Sequence, residues 1–181
     1  MSSLANNDEP IPLSQHLRTA TMPQHRHTES LMDDYAPLQT AVGYRRFLWL
    51  MARLHARYAE ALDRSSEIAG LPQRSAELLA ALRADLGDTD ALDANVTVNG
   101  NAQCMGVGYV LEGSGLGATV LVRGLPKGPD HPHAYLSLLS ESVGKRWPAF
   151  KKTLDAEPLD ADATAAAAAA VFNELAAMVP T

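Results

Sequence analysis

Two residues in the first predicted helix, His25 and Glu29, have types and a spacing that could serve metal chemistry. They are four residues apart, so on a helix they share one face. A neutral imidazole is a good iron ligand, and a nearby carboxylate can orient the ring and raise its basicity. Arg18, two turns before His25, could meet a carboxylate of a ligand. The same spacing is also typical of a surface helix with an ion pair, and on spacing alone that is the commoner case.

A second histidine of the same helix competes for this role. An alternative apolar stripe would turn His27 inward; its members are Leu13, Leu17, Ala20, His27 and Leu31. Pro23 interrupts the helical register, because proline lacks the donor for an i−4 hydrogen bond. Periodicity therefore leaves both His25 and His27 open as the inward histidine.

The segment from Gly106 to Gly117 is apolar and unusually rich in glycine. Its glycines are Gly106, Gly108, Gly113, Gly115 and Gly117. Each costs a helix about 1 kcal/mol relative to alanine, and a total of roughly 4–5 kcal/mol is comparable to the net stability of a small domain. A flat ligand or a tightly packed helix would offset that cost, because glycine lets other groups approach the backbone closely. The segment lacks the G-x-G-x-x-G spacing of a dinucleotide-binding loop, and no strand clearly precedes it.

The elements that must position these residues are helices. Apolar periodicity, prolines and glycines predict an all-α, single-domain bundle, preceded by a disordered tail over residues 1–12. Ser14 is the predicted cap of the first helix, Pro23 and Pro148 are predicted bends, and Asp160 opens the last helix. The domain covers residues 13–181, and its predicted helices are residues 14–32, 41–64, 73–86, 101–123, 134–154 and 160–179.

Composition limits the class of protein. A chain of 181 residues is long enough for one domain with a real core, and its formal net charge of −6 is a poor fit to a nucleic-acid binder. The single cysteine, Cys104, excludes an internal disulfide and fits a reducing compartment. The start of the sequence has no apolar core of a signal peptide. We expect no later apolar stretch to reach the roughly 18 residues of a membrane span. We therefore expect a cytoplasmic protein.

Together the two candidate segments resemble those of haem oxygenases. Residues 17–29 are similar to the proximal helix of that family, in which a histidine ligates the haem iron and a glutamate follows four residues later. Residues 111–118 are similar to the distal helix, whose glycines let it kink over the haem. The order and separation of the segments agree, and the similarity is greatest to the bacterial branch that supplies biliverdin to bacterial phytochromes. The sequence also agrees with the haem oxygenase pattern at Arg46-Phe47, Trp147-x-x-Phe150 and Ala170 to Asn173.

The resemblance implies that haem lies between the first helix and the kinked glycine-rich helix. His25 is then the proximal ligand, because Glu29 falls at the family's spacing, whereas His27 has Leu31 there. Gly113 and Gly117 match the distal glycines. Ser114 stands where animal-type enzymes carry an aspartate that organises distal water.

The resemblance also implies anchors for the haem propionates. Arg18 and Tyr109 would bind propionates, together with one of Lys145, Arg146 or Lys151. Of these three basic residues we choose Arg146 as the expected anchor.

The implied activity is the oxidative opening of haem to biliverdin, carbon monoxide and ferrous iron, with haem as both cofactor and substrate. It requires O2 and electrons from an external donor such as ferredoxin or a reductase. A basic patch formed by Lys145, Arg146, Lys151 and Lys152 could dock an acidic donor, or belong to the haem edge or the solvated surface. A bacteriophytochrome is a candidate receiver of biliverdin, and no nucleic-acid or membrane partner is expected.

Three other functions remain open. Ser114 in place of the aspartate is compatible with a haem carrier that has lost the chemistry. A di-iron oxidase or thiamin-type hydrolase could share the helical fold, but a di-iron site needs carboxylates and histidines from several helices, and only the His25–Glu29 pair is evident. A plain helical interaction module would show no haem spectrum.

Overall fold

The chain is helical wherever it has regular structure. A computed structural model describes residues 11–87 and 95–180, and these ranges contain seven α-helices and no strand. The all-α prediction is confirmed, while most of the predicted tail lies outside the described residues. The helices are α1 (Leu13–Tyr35), α2 (Ala41–Arg57), α3 (Ala59–Ile68), α4 (Ser75–Leu86), α5 (Asn101–Gly124), α6 (Ala134–Ala156) and α7 (Ala161–Ala177).

The predicted second helix is in fact two helices. Tyr58, with φ −110° and ψ 19°, leaves helical backbone, so α2 ends before it and α3 begins after it. This break lets α2 pack on α4 while α3 packs on α5. Spacing did not reveal the break, because Leu54, Tyr58 and Leu62 are all buried and the apolar pattern continues through it.

The start of α1 is held by a distant carboxylate. The prediction that Ser14 caps this helix is wrong, because the cap position is Pro12 and no side chain caps it. Instead, the Ser14 N–H and hydroxyl donate to the Asp155 carboxylate near the end of α6, over 2.7 and 2.9 Å. This pairing satisfies a free amide of the first turn and fixes α1 against α6.

The last helix begins as predicted, and both prolines lie inside helices. Asp160 Oδ1 accepts the Ala163 N–H over 2.9 Å, which caps α7 as expected. Pro23 and Pro148 lie within the continuous helices α1 and α6, so neither proline splits its helix.

α5 is the central helix, and it packs on α3, α6 and α7. α1 packs mainly on α7, to a lesser extent on α6, and hardly at all on α5. The first helix and the glycine-rich helix therefore share two neighbours without closing on each other.

By length and composition alone, α5 could cross a membrane. The expectation that no apolar stretch is long enough to span a membrane is therefore wrong. Within this fold, however, α5 carries Glu112, which is buried and paired with two arginines. Such a pairing, with contacts to three other helices, is typical of the core helix of a folded domain.

Candidate functional site

The first helix presents His25 and Glu29 as a pair. His25 Nδ1 lies 3.2 Å from Glu29 Oε2, and the two side chains are 48% and 63% exposed. With Nδ1 held by the carboxylate, Nε2 is the ring nitrogen left for a ligand. The chemistry anticipated from the spacing of the pair is therefore geometrically available.

His25 and His27 lie differently relative to the buried face of α1. Leu17, Thr21 and Thr28 are its buried residues. His25 lies at one flank of this face and contacts the ring of Phe172 in α7, whereas His27 is fully on the exposed side. Of the alternative stripe, Leu17 is buried, whereas Ala20 and His27 are exposed.

The glycines at positions 106–117 of α5 fall into two groups, those that another helix touches and those that no helix backbone touches. A Cβ on Gly108 would lie 2.6 Å from Ser65 Cβ, and one on Gly115 would lie 2.9 Å from Val143 Cβ. A Cβ on Gly106 would lie 2.9 Å from the Ala167 Cβ. These positions need glycine because another helix touches the backbone. The packing explanation therefore holds for these three.

Gly113 and Gly117 are different, because no helix backbone presses on them. A Cβ on Gly113 would meet the Trp147 indole at 3.4 Å, an ordinary contact, and one on Gly117 would have no neighbour within 4 Å. Leu116 and Val120, beside Gly117, are 51% and 70% exposed. This part of α5 offers an open, apolar backbone surface of the kind that a flat ligand can lie on.

An aromatic and basic cluster lies where α5 and α6 meet near α1. The rings of Tyr109 and Trp147 are 5.4 Å apart, and Lys151 Nζ lies 5.4 Å over the Trp147 ring. Burial raises the pKa of the Tyr109 hydroxyl, and the nearby Arg18 guanidinium opposes that rise. The fold thus groups Arg18, Tyr109 and Lys151, three residues that the sequence analysis considered as carboxylate anchors.

Arg146 does not join this cluster. Its guanidinium donates to the Glu112 carboxylate over 2.6 and 3.0 Å, and also to Pro72 O and Ser66 Oγ. Arg74 donates to the same carboxylate over 3.0 Å. The choice of Arg146 as a ligand anchor therefore does not fit, since its donors are already used inside the fold. Glu112, a charged residue in an apolar helix, was the sequence signal of this buried ion pair.

Ser114 lies on α5 with its hydroxyl turned to its own helix. Its Oγ donates to Leu111 O over 2.7 Å. The hydroxyl proton is therefore in use, and the oxygen can still accept a hydrogen bond from a water molecule.

A buried His–Tyr pair was not anticipated from the sequence. His55 Nε2 and the Tyr135 hydroxyl are 2.8 Å apart, and both side chains are buried. Burial, assisted by the charge of Arg74, lowers the pKa of His55 to about 3, so this histidine is neutral in the folded protein.

One open concavity touches the candidate site. It has a volume of about 590 Å³ and lies along the outer side of α1. Its lining residues are Gln15, Arg18, Thr19, Met22, Pro23 and Arg26. Because all six come from one helix, it is a surface depression beside the site and not a slot with two walls.

No set of three His, Cys, Asp or Glu side chains that could hold a metal ion occurs in residues 11–87 and 95–180.

Comparison with solved structures places this arrangement in a known fold. A structure of the NO- and CO-bound haem oxygenase from Neisseria meningitidis matches with a TM-score of 0.76 and 20% sequence identity, covering 94% of this chain and 91% of that chain. The chain has the haem oxygenase fold. No protein-family model matches the sequence, and no curated protein matches it either. At this identity the likeness to a haem oxygenase shows the fold alone.

Proposed function

We propose that this protein is a haem oxygenase that binds haem between α1 and α5 and opens it to biliverdin, carbon monoxide and ferrous iron. One observation carries the proposal: His25, oriented by Glu29, stands on one helix, and the unfilled surface at Gly117 stands on another, within the haem oxygenase fold.

The residues present fit a haem group. A haem that is to react with O2 needs a ligand such as an imidazole nitrogen and room for a small molecule to reach the iron. His25 Nε2 meets the first need, and Gly117, with no atom within 4 Å of the position of a Cβ, meets the second. The exposed Leu116 and Val120 would be covered by the apolar macrocycle.

His25 and Glu29 would hold the proximal side. The Glu29 carboxylate would accept a hydrogen bond from Nδ1–H, which would keep the imidazole in the tautomer that leaves Nε2 for the iron. A neutral imidazole is a ligand that suits haem iron.

Gly113, Ser114 and Gly117 would form the distal side. Gly117 leaves room for the ligand face, and Trp147 covers the backbone at Gly113. The Ser114 oxygen can accept a hydrogen bond from water, so its role would be to hold water and not to donate a proton directly. Bound haem supplies the redox chemistry with O2 and externally delivered electrons.

The propionates would bind to the cluster of Arg18, Tyr109 and Lys151. Arg18 and Lys151 supply positive charge, and the Tyr109 hydroxyl is a hydrogen-bond donor. This assignment replaces Arg146 by Lys151, since Arg146 is bound to Glu112.

The partners follow from the chemistry. Electrons would come from ferredoxin or a reductase, and the exposed Lys145 and Lys152 on α6 remain candidates for contact with an acidic donor. A bacteriophytochrome would be one receiver of biliverdin. A soluble, cytoplasmic setting suits both partners.

Haem titration of His25→Ala and His27→Ala tests the ligand assignment. Both histidines are exposed on α1, so neither substitution opens a cavity in the core, and each serves as the other's control. We expect the Soret band to change strongly in His25→Ala and to stay as in the wild type in His27→Ala. Loss of the band in His27→Ala alone would refute the assignment.

Turnover separates the enzyme from a haem carrier. The haem-loaded protein is mixed with ascorbate or reduced ferredoxin in the presence of O2, and biliverdin is measured by its absorbance. We expect biliverdin and carbon monoxide. Stoichiometric haem binding without biliverdin would instead show the non-catalytic carrier, and no haem spectrum at all would show an interaction module.

A further inference from the structure

The His25 ring has a second neighbour, which comes from another helix. Phe172 in α7 packs against it with ring centroids 5.3 Å apart and an interplanar angle of 75°. Edge-to-face packing of this kind is a favoured arrangement of aromatic rings. Phe172 is thus the side chain outside α1 that limits how the imidazole can turn.

Glu29 by itself is a weak restraint on the ring plane. It lies on the same helix as His25, both side chains are about half exposed or more, and their contact is 3.2 Å. Exposed ion pairs contribute little to stability and fix long side chains poorly. A hydrogen bond at Nδ1 also still allows the ring to swing with the flexible carboxylate, so the direction of Nε2 needs another contact.

Phe172 is itself well anchored. Its backbone oxygen accepts the Thr28 hydroxyl over 3.3 Å, and its chain neighbour Val171 is buried in the core. Thr28 is one of the buried residues by which α1 packs on α7. One residue of α7 therefore contacts α1 twice, through its carbonyl at Thr28 and through its ring at His25.

We infer that Phe172 is a positioning residue for His25: its ring sets the plane of the imidazole and with it the direction of Nε2. The consequence for iron binding rests on the proposed function. The ring contact itself exists without haem, so the two can be tested separately.

The first test uses the full-length, haem-free protein. NMR relaxation of the ¹³C-labelled His25 ring reports how strictly the imidazole is held, and shifts of the α1 backbone amides report whether the helix stays docked. We expect Phe172→Leu to lower the order parameter of the C–H bonds of the His25 ring. The chemical shifts of the α1 backbone amides should stay as in the wild type. Phe172→Tyr, which keeps the aromatic ring, is expected to restore the wild-type order.

Thr28→Val is the matched control for helix docking. It removes the hydrogen bond to Phe172 O with little change in volume and leaves both rings in place. We expect it to lower the melting temperature while the His25 ring keeps its order. An unchanged order parameter in Phe172→Leu, or an equal loss in Thr28→Val, would overturn the positioning role.

The second test adds haem. Removing groups that orient a metal ligand commonly costs 10–100-fold in affinity, so we expect haem affinity to fall about tenfold in Phe172→Leu, with a shifted iron–histidine stretching band in the ferrous form. Phe172→Tyr is expected to keep both wild-type values. If the wild type binds no haem, the proposed function fails while the result on ring order still stands. If haem binds through His25 and Phe172→Leu changes neither value, the inference fails alone.

Discussion

At the level of single residues, the five glycines at positions 106–117 of α5 do not serve one purpose. Gly106, Gly108 and Gly115 are required by neighbouring helices, because a methyl group there would overlap side chains or backbone of α3, α6 or α7. Gly117 has no such neighbour, so helix packing does not explain it. An exposed helical glycine that packs against nothing costs stability relative to alanine, which is the reason to regard Gly117 as functional.

Gly117→Ala should separate folding from ligand binding. Its methyl group meets no protein atom, so we expect the free energy of unfolding to stay the same or rise by about 0.5–1 kcal/mol. The same methyl group would enter the proposed haem face, so biliverdin formation should fall, and haem affinity should fall less. Denaturant unfolding, haem titration and turnover measure the three quantities.

Gly108→Ala is the matched control for Gly117→Ala. Its Cβ would lie 2.6 Å from Ser65 Cβ and 2.9 Å from Phe150 Cε2, so overpacking should cost about 1–3 kcal/mol. If Gly117→Ala is instead destabilised like Gly108→Ala, or turns over haem like the wild type, the role given to Gly117 is wrong.

At the level of elements, one buried carboxylate joins α5 to α4 and α6. Glu112 joins α5 to Arg146 on α6 and to Arg74 at the start of α4. Its side chain is 1% exposed, and the Arg74 and Arg146 side chains are 4% and 13% exposed. This ion pair is thus a contact of the helix packing, and Arg146 is engaged in it.

Arg146→Ala is expected to affect stability and not ligand binding. Removing one partner of a buried ion pair costs on the order of 3 kcal/mol, so thermal unfolding should occur at a clearly lower temperature. Haem affinity per folded molecule should stay near the wild-type value. Lys151→Ala should weaken haem binding and leave the unfolding temperature unchanged. Lys145→Ala, at an exposed position, should change neither haem affinity nor unfolding temperature. Weaker haem binding with unchanged stability in Arg146→Ala would restore Arg146 as a propionate anchor.

At the level of the whole molecule, a neutral histidine in the core makes stability depend on pH. The folded state holds the pKa of His55 near 3, against an ordinary value of 6.5. The unfolded chain therefore takes up a proton as the pH falls below about 6.5, and the folded chain does not. The contribution of His55 to stability is complete above pH 6.5 and is lost as the pH falls toward 3.

Between pH 7 and pH 5, this single group should remove about 2 kcal/mol from the free energy of unfolding. Urea unfolding at the two pH values measures the difference. His55→Gln, which cannot take up a proton, should be less stable at pH 7, since it disturbs the contact with Tyr135, but its stability should change less with pH. An equal change in the wild type and His55→Gln would place the pH dependence in other groups.

Local spacing was enough to anticipate most of the secondary structure and part of the site. Apolar periodicity and breakers predicted the all-α fold, and the four-residue spacing of His25 and Glu29 predicted their pairing. The interruption at Tyr58 escaped this reasoning, because a buried residue there continues the apolar pattern. These are properties of consecutive residues on one helix.

What each helix faces was decided only by the tertiary structure. The partners of Ser14 and Arg146 are Asp155 and Glu112, which lie 141 and 34 positions away in the chain. Which glycines touch a helix, and whether Arg146 or Lys151 remains available for a ligand, depend on such distant partners. Periodicity determines which side chains share a face of a helix, but the packing of the helices determines what that face meets.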